Sequence, residues 1–365
     1  MIKRFKKIDW LLLLLLFLCI VVFCLTRNQN WVNHQYSTVF YPYLSSLLRV
    51  WFGGIGFSIG DFVYLILILL FLSFGLLPIV RNKRKKLKDI DINKHLPFWK
   101  KGLITFFILY LMFFVCWGFN YSRSGIAADL NMKLKAYDKA ELIEINAYLL
   151  KRLNENALML DSLNITFPGN DSGLFNQAIR AYEKAGSKFP FLQYGHPSLK
   201  PTVFSTTMSY LGINGYYNPF TGEAQVNTKV PVFTRPFTAC HEIAHQLGYA
   251  EESLASFVAF IAAEHSGDIA LQYSTYFELF LTANRSLHLY DSVSAKHWRD
   301  QLDKRVKADI KILKNYFNTY KNPIEPIVTK AYDLFLKSNR QKQGILSYNE
   351  VLLYLINYRK KENAG

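Results

Sequence analysis

Three long apolar stretches in the first third of the chain restrict its fold more than any other feature. They cover residues 10–25, 62–80 and 103–119, and charged or aromatic residues flank each of them. A helix needs ~17 to 20 mainly apolar residues to cross a bilayer, and each stretch approaches or exceeds that length. The sequence therefore predicts three transmembrane helices within residues 1–120. The first is expected to be a retained anchor, because no small-x-small cleavage site follows its leucine-rich core.

The positive charges beside these stretches predict their orientation. Four Lys or Arg precede Asp9 and nine lie between Arg81 and Lys101, whereas the loop between the first two stretches has only Arg27 and Arg49. Cytoplasmic loops carry the excess of Lys and Arg, so the N-terminus and the second loop are expected in the cytoplasm. An odd number of crossings then makes this an integral protein of the inner (cytoplasmic) membrane, with residues 121–365 periplasmic or extracytoplasmic.

The net charge of +16 does not indicate a nucleic-acid partner. The two cytoplasmic segments carry thirteen positive charges against Asp9, Asp89 and Asp91, which accounts for +10 of the total. The strongest basic run, at residues 81–86, lies at a predicted membrane boundary, where topology and anionic lipid explain it. The expected partners are therefore the lipid bilayer and a substrate, and no nucleic acid.

The segment between the first two stretches, residues 31–60, is rich in aromatic residues and glycine. Tyr and Trp are favoured at the boundary between membrane and water, so this segment is expected to lie along the outer interface. A substrate-gating role is the alternative.

Residues 241–245 read His-Glu-Ile-Ala-His, a pattern typical of a zinc site on a helix. Pro236 suits the first turn of that helix and Gly248 suits the position just after its end. Positions i and i+4 share a helix face, so His241 and His245 can bind one metal ion. Glu242 would then lie beside a metal-bound water and could accept its proton. The ordinary alternative is a pair of hydrogen-bonded histidines on an amphipathic helix.

A zinc hydrolase also needs a third protein ligand and an open fourth position. Glu252 is the predicted ligand, because a second helix can begin near it and the first turn of that helix can face the metal. Ala255 is small enough for close helix packing, and Ser256 can support a ligand by a hydrogen bond. Glu251, six residues after the second histidine, is the alternative ligand, and Glu264 is a more distant candidate.

The pattern His241-Glu-x-x-His245 followed by Glu252-x-x-Ala255-Ser256 resembles the gluzincin metallopeptidases. This resemblance implies Zn2+ bound by His241, His245 and Glu252, with Glu242 as the general base. Ser256 stands where gluzincins commonly have an acidic residue. The stretch 212–257 also resembles an uncharacterised family of bacterial three-pass membrane proteins, and that resemblance covers most of the chain. It implies a fold and a zinc site but no substrate.

The expected fold class is α+β, mainly α, with a membrane region at residues 1–120 and a zincin-like outer domain with a small β-sheet at 121–365. Strand signals occur at residues 202–210 and 215–232, and residues 222–227 are the candidate edge strand for pairing with an extended peptide. A plain structural hairpin is the alternative there. Helices are expected at residues 139–153, 174–188, 234–247, 252–265, 269–289, 292–320, 326–337 and 347–358.

Two classes of function fit these features. The leading prediction is a membrane-anchored zinc metallopeptidase that hydrolyses peptide bonds on the outer side of the membrane, with peptides or proteins of the cell envelope among its candidate substrates. The alternative is a non-catalytic zincin-like domain that binds a cell-envelope partner. Tyr216, Tyr217 and Tyr249 are near the motif in sequence, but proximity alone assigns none of them a catalytic role. Cys240 is expected to be a small buried helix residue rather than a metal ligand.

Overall fold

Apolar helices form the N-terminal part of the molecule, in a computed structural model that describes residues 7–84 and 98–364. A π-helical segment, Val32–Phe40, lies between the second and third of them. The helices are α1 (Lys7–Arg27), α2 (Gln29–Trp31), α3 (Tyr41–Gly53), α4 (Ile59–Arg84) and α5 (Phe98–Cys116).

Two helices in the described part of the chain are long and apolar enough to cross a membrane, Lys7–Arg27 and Trp99–Cys116. This is consistent with membrane anchoring, but it corrects the expectation of three such helices. At the predicted second span, the shorter apolar stretch Ile59–Leu70 is found. The rest of that span extends into positions whose side chains are not described, and most of the basic loop after it, residues 85–97, lies outside the described residues.

The ends of these helices lie on two opposite sides of the helical region. Lys100, near the start of α5, forms an ion pair with Asp9, near the start of α1. At the opposite side, the Arg340 guanidinium donates to the backbone carbonyl of Thr26, near the end of α1, at 2.6 Å. The backbone N–H of Gly60, at the start of α4, donates to the Glu223 carboxylate. The end of α1 and the start of α4 therefore both contact the folded C-terminal part of the chain.

The rest of the chain is mostly helical, as predicted. Asp138 and Glu141 form a capping box at the start of α7, and side chains at other helix starts accept backbone N–H groups in the same way. The helices are α6 (Ile126–Asp129), α7 (Lys139–Ser162), α8 (Asp171–Lys188), α9 (Ser205–Tyr210), α10 (Arg235–Gln246), α11 (Glu252–Glu264), α12 (Ile269–Tyr290), α13 (Ser292–Asp300), α14 (Lys304–Tyr320), α15 (Glu325–Ser338) and α16 (Val351–Ala364). Short 3-10 turns lie at Gly118–Ser122, Pro190–Leu192 and Gly344–Glu350.

Three short strands form the sheet, in the order β1-β3-β2. They are β1 (Leu199–Pro201), β2 (Gly215–Asn218) and β3 (Glu223–Val226), with β1 parallel and β2 antiparallel to β3. Because β3 lies between the other two, both of its edges are already paired. The expectation that residues 222–227 form a substrate-accepting edge is therefore wrong. The edge strands are β1 and β2, and β2 is the one that lines the cleft described below.

Two further expectations are corrected. Residues 202–210 form mainly the helix α9 instead of a strand, because the hydroxyl of Ser205 donates to the Thr202 carbonyl and starts a helical turn. The predicted helix 292–320 divides into α13 and α14. Leu302 turns inward and is buried there, and Asp303 caps α14 by accepting the backbone N–H of Arg305.

The main core surrounds α11, which is buried on nearly every side. Phe257, Val258 and Ile261 are fully buried, which fits a helix that is apolar all round. Helices α8, α10, α12 and α16 pack around it, and α10 also packs against β2 and β3. Cys240 on α10 is buried in this core, as predicted. The zinc-motif helix α10 is thus held between the core and the sheet.

Candidate metal centre

Helices α10 and α11 bring together the three residues predicted to bind metal. His241 and His245 lie one turn apart on α10, with ring centroids 4.8 Å apart. Gly248 has a φ of +88°, a conformation that other residues adopt only with strain, and it lets the chain turn directly after α10. Glu252 is the first residue of α11, and its carboxylate faces both imidazoles.

The ligand atoms have separations that suit a small cation. One Glu252 oxygen, Oε2, lies 3.0 Å from His241 Nε2 and 3.6 Å from His245 Nε2. All three ligand atoms lie within 4.8 Å of one another. Ligands bound tetrahedrally at 2.0 to 2.2 Å are about 3.3 Å apart, and the two histidine-to-carboxylate distances bracket that value.

Hydrogen bonds orient each ring so that Nε2 points into the cluster. His245 Nδ1 lies 2.8 Å from the Tyr249 carbonyl oxygen, which can only accept, so Nδ1 carries a proton and Nε2 is the nitrogen that faces the cluster. His241 Nδ1 lies 3.2 Å from the Ser256 hydroxyl, the supporting contact predicted for that residue. These partners leave both Nε2 atoms available to a metal ion.

The Glu252 carboxylate has a partner that the sequence did not indicate. Tyr332, on α15, donates its hydroxyl hydrogen to Glu252 Oε1 at 2.6 Å, while Oε2 faces the histidines. The two residues are 80 positions apart, and no local spacing relates them. Tyr332 therefore orients the carboxylate in the way that outer partners orient metal ligands in general.

The other candidate ligands lie elsewhere. Glu251 precedes α11, and burial, with a contribution from Glu350, raises its pKa to about 7. Glu264, at the far end of α11, pairs with Arg152 and accepts a hydrogen bond from Tyr276. In the part of the chain that the structure describes, neither glutamate joins the group that could hold a metal ion.

Glu242 lies beside this group without a stabilising partner. It is buried, and its Oε2 has no hydrogen-bond partner among the described residues. Burial raises its pKa to about 8, with the charges of His245 and Glu252 acting in opposite directions. A buried carboxylate with an unsatisfied oxygen is costly, so the site is incomplete without a further group near Glu242.

The charges of the ligands also suit a cation. Burial lowers the pKa of His241, as desolvation disfavours its charged form. Burial acts in the same direction on His245, but the Glu252 and Glu242 carboxylates outweigh it and raise the pKa of His245 to about 9. Despite burial, the two histidines hold the pKa of Glu252 well below its usual value. The ionised Glu252 carboxylate thus places negative charge beside the converging imidazoles.

A cleft of about 780 Å³ opens over these residues. The edge strand β2 lines it with Gly215 and Tyr216, and Tyr348 lines it near His241, with the two rings stacked at an interplanar angle of 10°. Gly215 leaves room for Glu242, because a Cβ atom at that position would lie 2.7 Å from Glu242 Oε1. The cleft is large enough for a peptide-sized ligand.

The tyrosines near the motif in sequence have other partners. Tyr217 accepts a hydrogen bond from Tyr41, and Tyr249 donates one to Asp129. Tyr216 lines the cleft, but its hydroxyl donates to Asp61 at the start of α4.

Helix α3 supports the C-terminal end of the zinc-motif helix. The last carbonyls of a helix lack partners within it. Here Ser45 donates to the Gln246 carbonyl at 2.9 Å, and the Tyr41 hydroxyl oxygen lies 3.3 Å from the His245 carbonyl oxygen. Arg49 is also buried and donates to the Gln246 carbonyl. The segment expected at the membrane interface therefore contacts the candidate metal centre through one of its faces.

Comparison with known proteins assigns the chain to a family. Residues 36–356 match the family described as "Protein of unknown function (DUF3810)". The chain belongs to the DUF3810 family. The match begins just before α3 and ends within α16, so it includes both the supporting helix and the candidate metal centre. The DUF3810 description assigns no activity, and no curated protein and no solved structure matches the chain.

Proposed function

We propose that this protein is a membrane-anchored, zinc-dependent metallopeptidase of gluzincin type. The observation that carries the proposal is the convergence of His241, His245 and Glu252 beside the unpartnered Glu242, at the floor of a peptide-sized cleft. The donor set fits zinc, since two imidazole nitrogens and one carboxylate oxygen are common in catalytic zinc sites. A bound zinc ion would supply Lewis-acid polarisation of a substrate carbonyl.

The residues of the chain have separate roles in this proposal. Glu242 is the general base, because its buried carboxylate can accept a proton from an attacking water. Its pKa of about 8 is close to neutral pH, where a general base is most effective. Tyr332 and Ser256 keep the ligands in position. Tyr348 lines the cleft with its ring stacked on that of His241, and its hydroxyl interacts with Glu252 and Tyr332, so it also helps to hold the ligands.

The edge strand β2 is the proposed docking element for the substrate backbone. Its pairing with β3 uses one of its sides, and Gly215 and Tyr216 line the cleft next to Glu242. An extended peptide can add to a sheet edge through main-chain hydrogen bonds, which position its peptide bonds independently of sequence.

We also propose that α4 is a third crossing, beside the two helices that are long and apolar enough within the described residues, with the N-terminus in the cytoplasm and the zincin-like part outside. Helix α4 has 26 residues, which is long enough to span a bilayer. The starts of α1 and α5 lie on one side, joined by Lys100 and Asp9, and the start of α4 contacts the folded part on the other. The lysine-rich and arginine-rich segments then belong to the cytoplasmic side.

The proposal is tested by pairing Glu242→Gln with the control Glu251→Gln in the full-length protein. Full-length protein is needed because α3 contacts the metal-centre helix. Wild type and both variants are expected to contain about one zinc per chain by mass spectrometry of the metal. Glu242→Gln should cleave a peptide library at least ~100-fold more slowly, the scale of general-base catalysis, while Glu251→Gln should stay near wild type.

Other outcomes would count against the proposal in distinct ways. If His241→Ala and His245→Ala both retain full zinc, the site assignment is wrong. If zinc-loaded wild type cleaves nothing in peptide libraries and envelope extracts, the non-catalytic binding domain becomes the better account.

A further inference from the structure

The candidate metal centre lies directly beside the end of a membrane-length helix. Trp117 is the first residue after α5, and its ring centroid is 6.0 Å from that of the proposed zinc ligand His245. Trp117 is buried and also contacts Tyr217 beside the cleft, with centroids 4.8 Å apart. One side chain therefore separates the end of α5 from the proposed metal site.

The cleft itself extends to the membrane helices. Its lining includes Tyr64, on α4, and Phe113, on α5, together with His241 and Glu242. Tyr64 also contacts Tyr216 of the edge strand, with ring centroids 5.4 Å apart. The proposed docking strand thus lies against a helix of the membrane region, and a ligand in the cleft can touch both.

Helix α15 forms a wall of the cleft and contacts α5 near its C-terminal end. Its residue Phe335 lines the cleft and lies 6.3 Å from Phe113, measured between ring centroids. Two other apolar residues of this helix are largely exposed, Ile327 at 68% and Leu334 at 60%. Exposed apolar side chains on a helix that also contacts α5 are suited to a surface that meets lipid or an apolar ligand.

Helix α3 also links the expected membrane interface to the candidate metal centre. Tyr41 and Ser45 contact the metal-centre helix, whereas Tyr43 and Trp51 are 71% and 63% exposed. Tyr43 is two residues from Tyr41, which is roughly the opposite side of a helix. Tyr and Trp are favoured at the membrane interface, so a single helix separates that interface from α10.

We infer that the cleft takes a peptide segment that continues directly into a transmembrane helix of the substrate, rather than a freely soluble peptide. This inference rests on the proposed peptidase function for the identity of the occupant. A substrate span lying beside α4 and α5 would deliver its adjoining residues to Tyr64, Phe113 and β2. Trp117, the residue after α5, has its ring centroid 6.0 Å from that of His245, and an extended chain covers ~3.3 Å per residue, so the segment in the site is expected within about six residues of the span.

Photo-crosslinking tests the occupant without requiring hydrolysis. The full-length Glu242→Gln variant is placed in vesicles of phosphatidylethanolamine and phosphatidylglycerol, with benzoylphenylalanine at Leu346. Leu346 lines the cleft and is exposed, so this change should leave the fold intact. The matched control carries the same group at Tyr290, which is exposed outside the cleft. The probes are a peptide with one transmembrane segment and a 20-residue extension, and the same extension alone.

The anchored peptide is expected to crosslink at Leu346 at least ten times more than the soluble extension, and little at Tyr290. Mass spectrometry should map the crosslinks to the first six or so residues after the span. Equal crosslinking of the soluble extension, or crosslinks spread evenly along it, would overturn the inference.

The same probes separate this inference from the proposed function. If wild type cleaves the soluble and anchored peptides at equal rates, the peptidase stands and the membrane-tethered substrate is wrong. If the anchored peptide crosslinks as expected but wild type loaded with zinc cleaves neither probe, the occupant is supported and catalysis is contradicted.

Discussion

The substitution Gly215→Ala should separate hydrolysis from metal binding. A Cβ atom at this position would lie 2.7 Å from Glu242 Oε1, about 0.7 Å closer than the 3.4 Å at which ordinary contact begins. It would also lie 2.9 Å from the Gln225 carbonyl oxygen and 2.9 Å from Thr238 Cγ2. Gln225 is in the central strand, whose backbone is paired on both sides, so Glu242 and the edge strand must give way.

The size of the effect follows from that displacement. Forcing an extra methyl group into a packed site typically costs about 1 to 3 kcal/mol of stability, which leaves most proteins folded. Displacement of a catalytic group by about 1 Å can cost ~100-fold in rate. The three atoms nearest to an added Cβ belong to Glu242, Gln225 and Thr238 and not to the proposed ligands, so zinc content should stay near one per chain. We therefore expect Gly215→Ala to resemble Glu242→Gln, with zinc retained and hydrolysis reduced by about two orders of magnitude.

The assay compares full-length wild type, Gly215→Ala and the control Gly169→Ala for zinc content, thermal stability and cleavage of a peptide library. Gly169 has nothing within 4 Å of an added Cβ, so alanine there should be neutral. Wild-type hydrolysis by Gly215→Ala would refute the assignment of Glu242 as the base beside this edge strand. Loss of zinc in a folded Gly215→Ala protein would show that the strand supports the ligands instead.

Three further perturbations test the surroundings of the site. Tyr332→Phe removes the hydrogen bond to Glu252 and should weaken zinc binding about 10- to 100-fold in a chelator competition, with the fold retained; unchanged affinity would mean that Tyr332 does not orient the ligand. Arg49→Ala removes the hydrogen bonds that a buried guanidinium makes to the His196 and Gln246 carbonyls and should lower the free energy of unfolding by about 1 to 3 kcal/mol in detergent, whereas a neutral result would contradict the supporting role of α3. Burial raises the pKa of Glu278 in the cleft wall from 4.5 to about 7, against the opposing charge of Arg285. The folded protein therefore keeps this proton to higher pH than the unfolded chain, and stability should fall as pH rises through that window. Glu278→Gln should reduce the fall between about pH 5 and pH 8 by about 1 to 3 kcal/mol, and identical pH profiles would contradict the raised pKa.

The membrane region shows where sequence patterns stop being sufficient. Apolar length predicted three spans, and the described residues support α1 and α5 as candidate membrane helices. Hydropathy says nothing about what lies beyond each helix end. The contacts of Trp117 with His245 and of α3 with α10 come from packing between segments that are more than 100 residues apart.

Local periodicity by itself determined the centre of the candidate site. His241 and His245 share a face because a helix repeats every 3.6 residues, and Gly248 permits the turn that brings Glu252 back to them. These relations span twelve residues and depend only on backbone geometry. The same local reasoning placed Ser256 next to His241.

Tertiary structure decided everything that completes the site. The order β1-β3-β2 made β2 an edge strand and left β3 paired on both sides, although the sequence had indicated residues 222–227 as the edge. The position of α15 brought Tyr332 to Glu252, and the packing of β2 on α10 made Gly215 the neighbour of Glu242. Such contacts join segments that are far apart in sequence and depend on how the whole interior packs. No local periodicity along the chain predicts them.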